Sequence, residues 1–193
     1  MRMEDLRFQV VFYHLCFRMI NFFDLTYLRR GSIRQQAAFA VLTRYDITGK
    51  LAAFDPVLAG TIPIGIDVET SDLDLICCWA DKNAFADTLQ RCFGEYRGFL
   101  LTEMAVRGED AVVASFEVDG FEVEIFGQNI PVRQQNAYRH MLIEHRILTE
   151  KGEAFRQQII QLKQQGYKTE PAFARLLGLD TDDPYNALLA LEF

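Results

Sequence analysis

Asp72 and Asp74, separated by one leucine in Ser71-Asp72-Leu73-Asp74-Leu75-Ile76, are the residue types in this chain best spaced to do chemistry. In an extended strand residues i and i+2 point to the same side, so the two carboxylates share a face and repel each other unless a cation lies between them. Ahead of them a short apolar run, Val57-Leu58-Ala59, leads into Gly60-Thr61. The spacing of the two aspartates describes a divalent-cation site.

A third acid comes from farther along. Ala111–Val118 and Phe121–Phe126 read as strands, with Asp119-Gly120 between them as a two-residue hairpin turn. Such a turn pairs Val118 with Phe121, Glu117 with Glu122, Phe116 with Val123 and Ser115 with Glu124. One face is then apolar, carrying Phe116, Val118, Phe121, Val123 and Ile125, and the other carries Glu117, Glu122 and Glu124. Water near the turn can solvate Glu117 and Glu122. Glu124 lies deeper, where a carboxylate needs a partner. Taken alone, the hairpin also fits three glutamates lining a solvated sheet face.

The pattern Ala59-Gly60-Thr61, an interval over 62–71, Asp72-Leu73-Asp74-Leu75, and much later Val123-Glu124-Ile125 resembles the nucleotidyltransferase-fold superfamily. Thr61 stands where serine or glycine is usual. More closely, Leu58–Ile76, Ala114–Gln128, Asn136–Leu148 and Lys168–Leu177 resemble DUF4269, a bacterial family of unknown function assigned to that superfamily. The resemblance implies transfer of a nucleoside monophosphate from a nucleoside triphosphate to a hydroxyl of a small molecule or protein, with Mg²⁺ or Mn²⁺ as cofactor. Asp72 and Asp74 would hold the triphosphate-bound ion, and Asp72, Asp74 and Glu124 the second, with Glu124 also favouring deprotonation of the acceptor. Gly60, Thr61 and Ser71 would contact phosphate. Two alternatives use the same residues: a catalytically silent module that binds a nucleotide or a partner, and a metal-dependent phosphohydrolase with water as acceptor.

A second polar segment follows Pro131, a good first-turn residue for a helix. Arg139, His140 and Arg146 are candidates for binding phosphate or an anionic acceptor, and a helix with solvated charges fits the segment equally well. His140-x-x-x-Glu144-His145 is no two-histidine zinc site. Five residues at ~100° each put the histidines roughly 140° apart on a helix, where zinc needs them one turn apart. Lys168 reads as a solvated lysine, and Arg133 as similar to Arg139.

The elements that must position these groups form an α+β fold of mixed, largely antiparallel sheet, with helices covering the face opposite the acids and a C-terminal helical region completing a cleft. Ser32-x-x-Gln35 resembles a capping box ahead of Ile33, Ala37, Val41 and Tyr45 at helical spacing. Asp72–Trp79 reads as a strand, and Asp81 caps a helix bearing Phe85, Leu89 and Phe93 that ends at Gly94. Phe99–Val106 is a further strand. Beyond residue 150, Phe155, Ile159 and Leu162 mark a helix ended by Gly166, Thr169 and Pro171 start another, and Asp183-Pro184 opens a third. We expect an N-terminal extension over residues 1–23, a core over 24–130 and the helical region over 131–193.

With 27 acidic against 20 basic side chains, the chain lacks the basic surface of a duplex nucleic-acid binder. The apolar stretch within the first twenty residues is too short and too interrupted to span a membrane, and it begins with Glu4 and Asp5 where a signal peptide wants positive charge. Met19 is an alternative natural start. Cys16, Cys77, Cys78 and Cys92 form neither a C-x-x-C pair nor a disulfide framework, and read as reduced, mostly core thiols of a cytoplasmic protein.

Overall fold

The computed structural model of the chain describes residues 20–191. Cys16, residues 1–18 and the Met19 start lie outside that range.

Alternation of apolar and polar residues builds the sheet. Its strands are β1 (Val57–Leu58), β2 (Leu73–Cys78), β3 (Arg97–Val106), β4 (Glu109–Val118) and β5 (Phe121–Gln128), in the order β1-β2-β5-β4-β3. β1–β2, β5–β4 and β4–β3 are antiparallel, and β2–β5 is parallel. The sheet is mixed and largely antiparallel. The β4–β5 register pairs Val118 with Phe121, Glu117 with Glu122, Phe116 with Val123 and Ser115 with Glu124, as the turn predicts.

Leu73, Leu75, Val123, Ile125 and Phe116 point to one face and form a core with α1 (Ile33–Arg44) and α3 (Lys82–Phe93), which supply Leu42, Phe85, Leu89 and Phe93. Between these helices run a single turn, α2 (Ile47–Lys50), and a 3₁₀ turn, Ala52–Phe54. Both long helices start where the sequence marks them. Ser32 and Gln35 form a complete capping box, and the Asp81 carboxylate accepts from the backbone amides of Asn83 and Ala84. Each such cap contributes about 1 kcal/mol.

On the opposite face Val57, Ala59 and Ile76, with Phe126 of β5, pack on α4 (Asn136–Lys151), α5 (Glu153–Gln164), α6 (Thr169–Leu177) and α7 (Pro184–Leu189). Met141, Ile147, Ile159, Phe173 and Leu188 fill this second core. Asp183 caps α7, with Pro184 at its start. The helical region therefore covers part of the acid-bearing face and walls a cavity beside it.

Several boundaries differ from the sequence reading: β2 is one residue shorter at each end, Leu73–Cys78, and β4 begins at Glu109 rather than Ala111. β5 continues past Phe126 to Gln128 because Gly127 faces α3, where a Cβ would overlap the Phe85 ring. β3 begins at Arg97, ahead of Phe99, with a register shift between Arg97 and Leu100. Pro131 opens a 3₁₀ turn, Val132–Gln134, rather than the helix. α4 waits until Asn136 because Gln135 is buried and extended, its amide donating to the Cys77 carbonyl at 2.8 Å and the Ile130 carbonyl at 2.9 Å. Cys77, Cys78 and Cys92 are free thiols, Cys77 in the first core. Among the described residues no helix is long and apolar enough to cross a membrane.

Candidate active site

Asp74 on β2 stands directly opposite Glu124 on β5 in the parallel ladder. Neighbouring strands lie about 4.8 Å apart, so two side chains on the same face at paired positions are within reach of one ion. Asp72 sits just before β2 and is half-buried, like the other two. Glu117 and Glu122, nearer the turn, are exposed. The hairpin acid thus comes back beside the early aspartates.

The electrostatics follow from this crowding. Burial, then the charges of Asp72 and Glu124, push the Asp74 carboxyl up to about 7. Glu124 is raised by burial, then by Asp72 and Glu122. Among the described residues no lysine or arginine pairs with Asp72, Asp74 or Glu124 at ion-pair distance. Three oxygen-donor carboxylates with no lysine or arginine in ion-pair contact are the donor type that hard divalent cations take; Lys163 acts on Asp72 and Asp74 from a distance, and the three side chains would draw together to hold Mg²⁺ or Mn²⁺.

Gly60 meets two demands at once. Its φ of +73° lies in the left-handed region, and a Cβ there would overlap Asp74 Oδ2. Beside it, the Ala59 amide donates to the Asp74 carbonyl at 2.8 Å, which fixes the turn against β2. Thr61 and Ser71 close the interval loop at its two ends, their hydroxyls 3.2 Å apart, while the Val68 amide donates to Ser71 Oγ at 2.9 Å. Gly60 and Thr61 line the cavity, and Ser71 is buried behind it.

Two helices clamp the intervening carbonyls. From α1, the Gln35 amide donates to the Ile62 carbonyl at 2.8 Å, and Arg34 donates to the Ser71 carbonyl while lying over the Phe121 ring. From α5, Arg156 donates to the Ile64 and Gly65 carbonyls, and Lys163 Nζ to the Ile66 carbonyl at 3.0 Å. Lys163 also interacts with Glu144, Asp67, Asp74 and Asp72, and burial outweighs these acids in lowering its pKa. The sequence reading passed over this lysine in favour of Lys168, which is exposed. Its signal was available: Lys163 follows the buried Ile159 by four residues and shares its side of the helix.

A cavity of about 650 Å³ opens between the acids and the helices. Its sheet wall includes Ala59, Gly60, Thr61, Asp74 and Glu124, and its helical wall includes His140, Glu144, Glu170 and Tyr185. Arg139 is not in the wall, and its guanidinium donates to Asn136 Oδ1 at 3.3 Å. His140 is in the wall, but burial, then the charges of Arg107 and Arg139, lower its pKa, so it presents a neutral imidazole. His145 faces elsewhere, edge-on to Phe22 with ring centroids 5.3 Å apart. Glu144 falls within the segment for which a solvated helix was an equal reading, yet it is only 4% exposed. Its spacing from Met141 and Leu148, three residues back and four ahead, was the clue.

No curated protein sequence matches this chain. Among solved structures it is similar to the Cid1 poly(U) polymerase with Mg 3′-dATP bound, at 13% identity and a TM-score of 0.50, over 81% of this chain and 48% of that one. It is also similar to the GLD-2/RNP-8 complex, at 12% identity and a TM-score of 0.48, over 74% of this chain and 56% of that one. A cytoplasmic RNA terminal U-transferase matches at 17% identity and a TM-score of 0.47, over 68% of this chain and 39% of that one. The chain thus spans roughly two fifths to somewhat over half the length of these chains. At such identities the likeness shows the fold alone, which is that of the nucleotidyltransferases. The profile of DUF4269, described as a domain of unknown function, matches residues 40–191, well over half of the sequence, and the chain belongs to that family.

Proposed function

We propose that this chain is a metal-dependent nucleotidyltransferase that moves a nucleoside monophosphate from a nucleoside triphosphate to a hydroxyl of a small molecule or protein. The observation that carries the reading is the pairing of Asp74 with Glu124, with Asp72 acting on both. Asp72 and Asp74 would hold a triphosphate-bound Mg²⁺ or Mn²⁺, and all three acids the second ion. Such a pair of ions stabilises charge on the attacking and leaving oxygens of an in-line displacement.

The chain's own residues do the rest. The Gly60-Thr61 turn offers backbone amides to phosphate, and the Thr61 hydroxyl, which donates to Ser71 Oγ at 3.2 Å, would turn from it to donate to phosphate. Glu124, beside the second ion, would favour deprotonation of the acceptor hydroxyl. Lys163 keeps the loop and the acids in register through the Ile66 carbonyl. Arg139 remains a candidate only for an acceptor outside the cavity wall, whereas a neutral His140 brings no charge to a triphosphate. This reading assigns residues 24–130 to the core that carries the chemistry and 131–193 to the wall that selects the acceptor.

The test is product analysis with each nucleoside triphosphate, Mg²⁺ or Mn²⁺, and a panel of hydroxyl acceptors. Pyrophosphate and a nucleotidylated acceptor, both lost in the Asp72→Ala/Asp74→Ala double variant, are the expected result. Inorganic phosphate or nucleoside diphosphate would make the chain a phosphohydrolase. Calorimetric binding of nucleotide without turnover would make it a silent module.

A further inference from the structure

The helical wall carries a second cluster that nucleotidyl transfer does not use. His140 and Glu144 lie one turn apart on α4, and Glu170 comes from the first turn of α6. One potential ligand atom from each lies within 4.8 Å of the other two. His140 and Glu144 are 6% and 4% exposed. His140 Nδ1 is buried without a hydrogen-bond partner, and no hydrogen bond or ion pair reaches Glu144 from the described residues. Lys163 acts on Glu144 through its charge and donates one of its N–H groups to the Ile66 carbonyl.

His140, more than nine-tenths buried in the cavity wall with Nδ1 unpartnered and the equally buried Glu144 one turn away, is costly unless something occupies the space between them. The edge of the Tyr185 ring packs against the His140 ring, with centroids 6.1 Å apart, and so helps hold the imidazole's orientation. We infer that His140, Glu144 and Glu170 form a binding site for a divalent transition ion of the zinc class, distinct from the oxygen-only site of Asp72, Asp74 and Glu124.

The donor set selects the ion. One imidazole nitrogen and two carboxylate oxygens suit Zn²⁺ or Co²⁺, whereas Mg²⁺ prefers oxygen ligands and keeps its water. Donors about 2.0–2.2 Å from a tetrahedral ion stand roughly 3.4 Å apart, so the two glutamates need only draw in by about 1 Å through their rotatable side chains. The fourth position opens on the cavity. An ion there ties α4 to α6 and pins the wall that faces the acids. The arrangement differs from the two-histidine motif that the sequence excludes, because the second helical ligand is Glu144 and the third arrives from another helix.

The test uses the full chain carrying Asp72→Ala/Asp74→Ala, stripped with chelator, so that the acid site is removed and a failure of nucleotidyl transfer has no bearing on the result. Calorimetry with Zn²⁺ alone is expected to show one site per chain, with Mg²⁺ showing none at the same concentration. Saturating Zn²⁺ is expected to raise the melting temperature by about 5–10 °C. Co²⁺ is expected to give the visible absorption of a low-symmetry site containing nitrogen. Adding Glu170→Gln, at a half-buried position that tolerates a neutral isostere, is expected to weaken Zn²⁺ binding by about 10–100-fold, and His140→Gln likewise. Absence of Zn²⁺ binding in the double variant, or Zn²⁺ binding that both added substitutions leave unchanged, overturns the inference. A Glu170→Gln chain that melts as the parent does without Zn²⁺, yet gains no stability with it, supports it.

Discussion

The cavity has two acidic walls built in different ways. On the sheet wall, Asp74 and Glu124 stand on adjacent hydrogen-bonded strands, so backbone register alone sets their separation. On the helical wall, Glu144 and Glu170 stand on separate helices, and side-chain packing between α4, α6 and α7 sets theirs. Both walls crowd carboxylates, and burial raises the pKa of Asp74, Glu124, Glu144 and Glu170 alike. The sheet wall adds only oxygen ligands, while the helical wall adds a neutral imidazole. A ladder holds charge with a rigidity that packed helices lack, which suits the sheet wall to chemistry and the helical wall to adjustable binding.

The sharpest way to break this comparison is to empty the sheet wall. Asp72→Ala/Asp74→Ala is expected to lower metal-dependent nucleotide turnover by at least about a hundredfold, measured as pyrophosphate release, while folding persists by circular dichroism. Gly60→Ala comes next. It forces a side chain into left-handed backbone and against Asp74 Oδ2, at a cost of roughly 1–3 kcal/mol in denaturant melts, with turnover falling as Asp74 is displaced.

The third test is pH. The folded Asp74 pKa of about 7 exceeds its ordinary 3.8, so the native state holds a proton that the unfolded chain has released. Stability from this group is complete below about pH 4 and is lost as pH rises through about 7, by roughly 4 kcal/mol. Asp74→Asn is expected to flatten that slope in metal-free melts, and Mg²⁺ to restore stability to the parent at pH 8. Lys163→Met follows. It leaves the Ile66 carbonyl without its donor and is expected to destabilise by about 1–3 kcal/mol, weakening nucleotide binding with it. The smallest effect belongs to Glu117→Gln, on the exposed end of the same sheet face. Turnover and stability are expected to stay within about 0.5 kcal/mol of the parent, so any large loss would blur the distinction between Glu117 and Glu124.

Much of the sheet wall was legible in the residues. Period-two alternation and the Asp119-Gly120 turn set the register of Glu124, and glycine beside an apolar run marked the tight turn at Gly60. The parallel pairing of β2 with β5 was not legible from spacing, since nothing local joins residue 74 to residue 124; the resemblance to a known fold supplied only that Glu124 joins the two aspartates. The helical wall was largely hidden. Which side of α4 is buried depends on helices that follow it in the chain, so Glu144 resembled a solvated charge, and Glu170 carried no mark of its role. Lys163 and Arg34 were missed for a related reason: long cationic side chains reach backbone carbonyls of a distant loop, a contact with no sequence period.

The account rests on Asp72, Asp74 and Glu124 sharing cations, and a crystal soaked with Mn²⁺ and a non-hydrolysable nucleoside triphosphate tests it most directly. Anomalous density between Asp74 and Glu124, with the triphosphate running toward Gly60 and Thr61, is the expected result. Triphosphate bound in the cavity with no manganese on either carboxylate would contradict it.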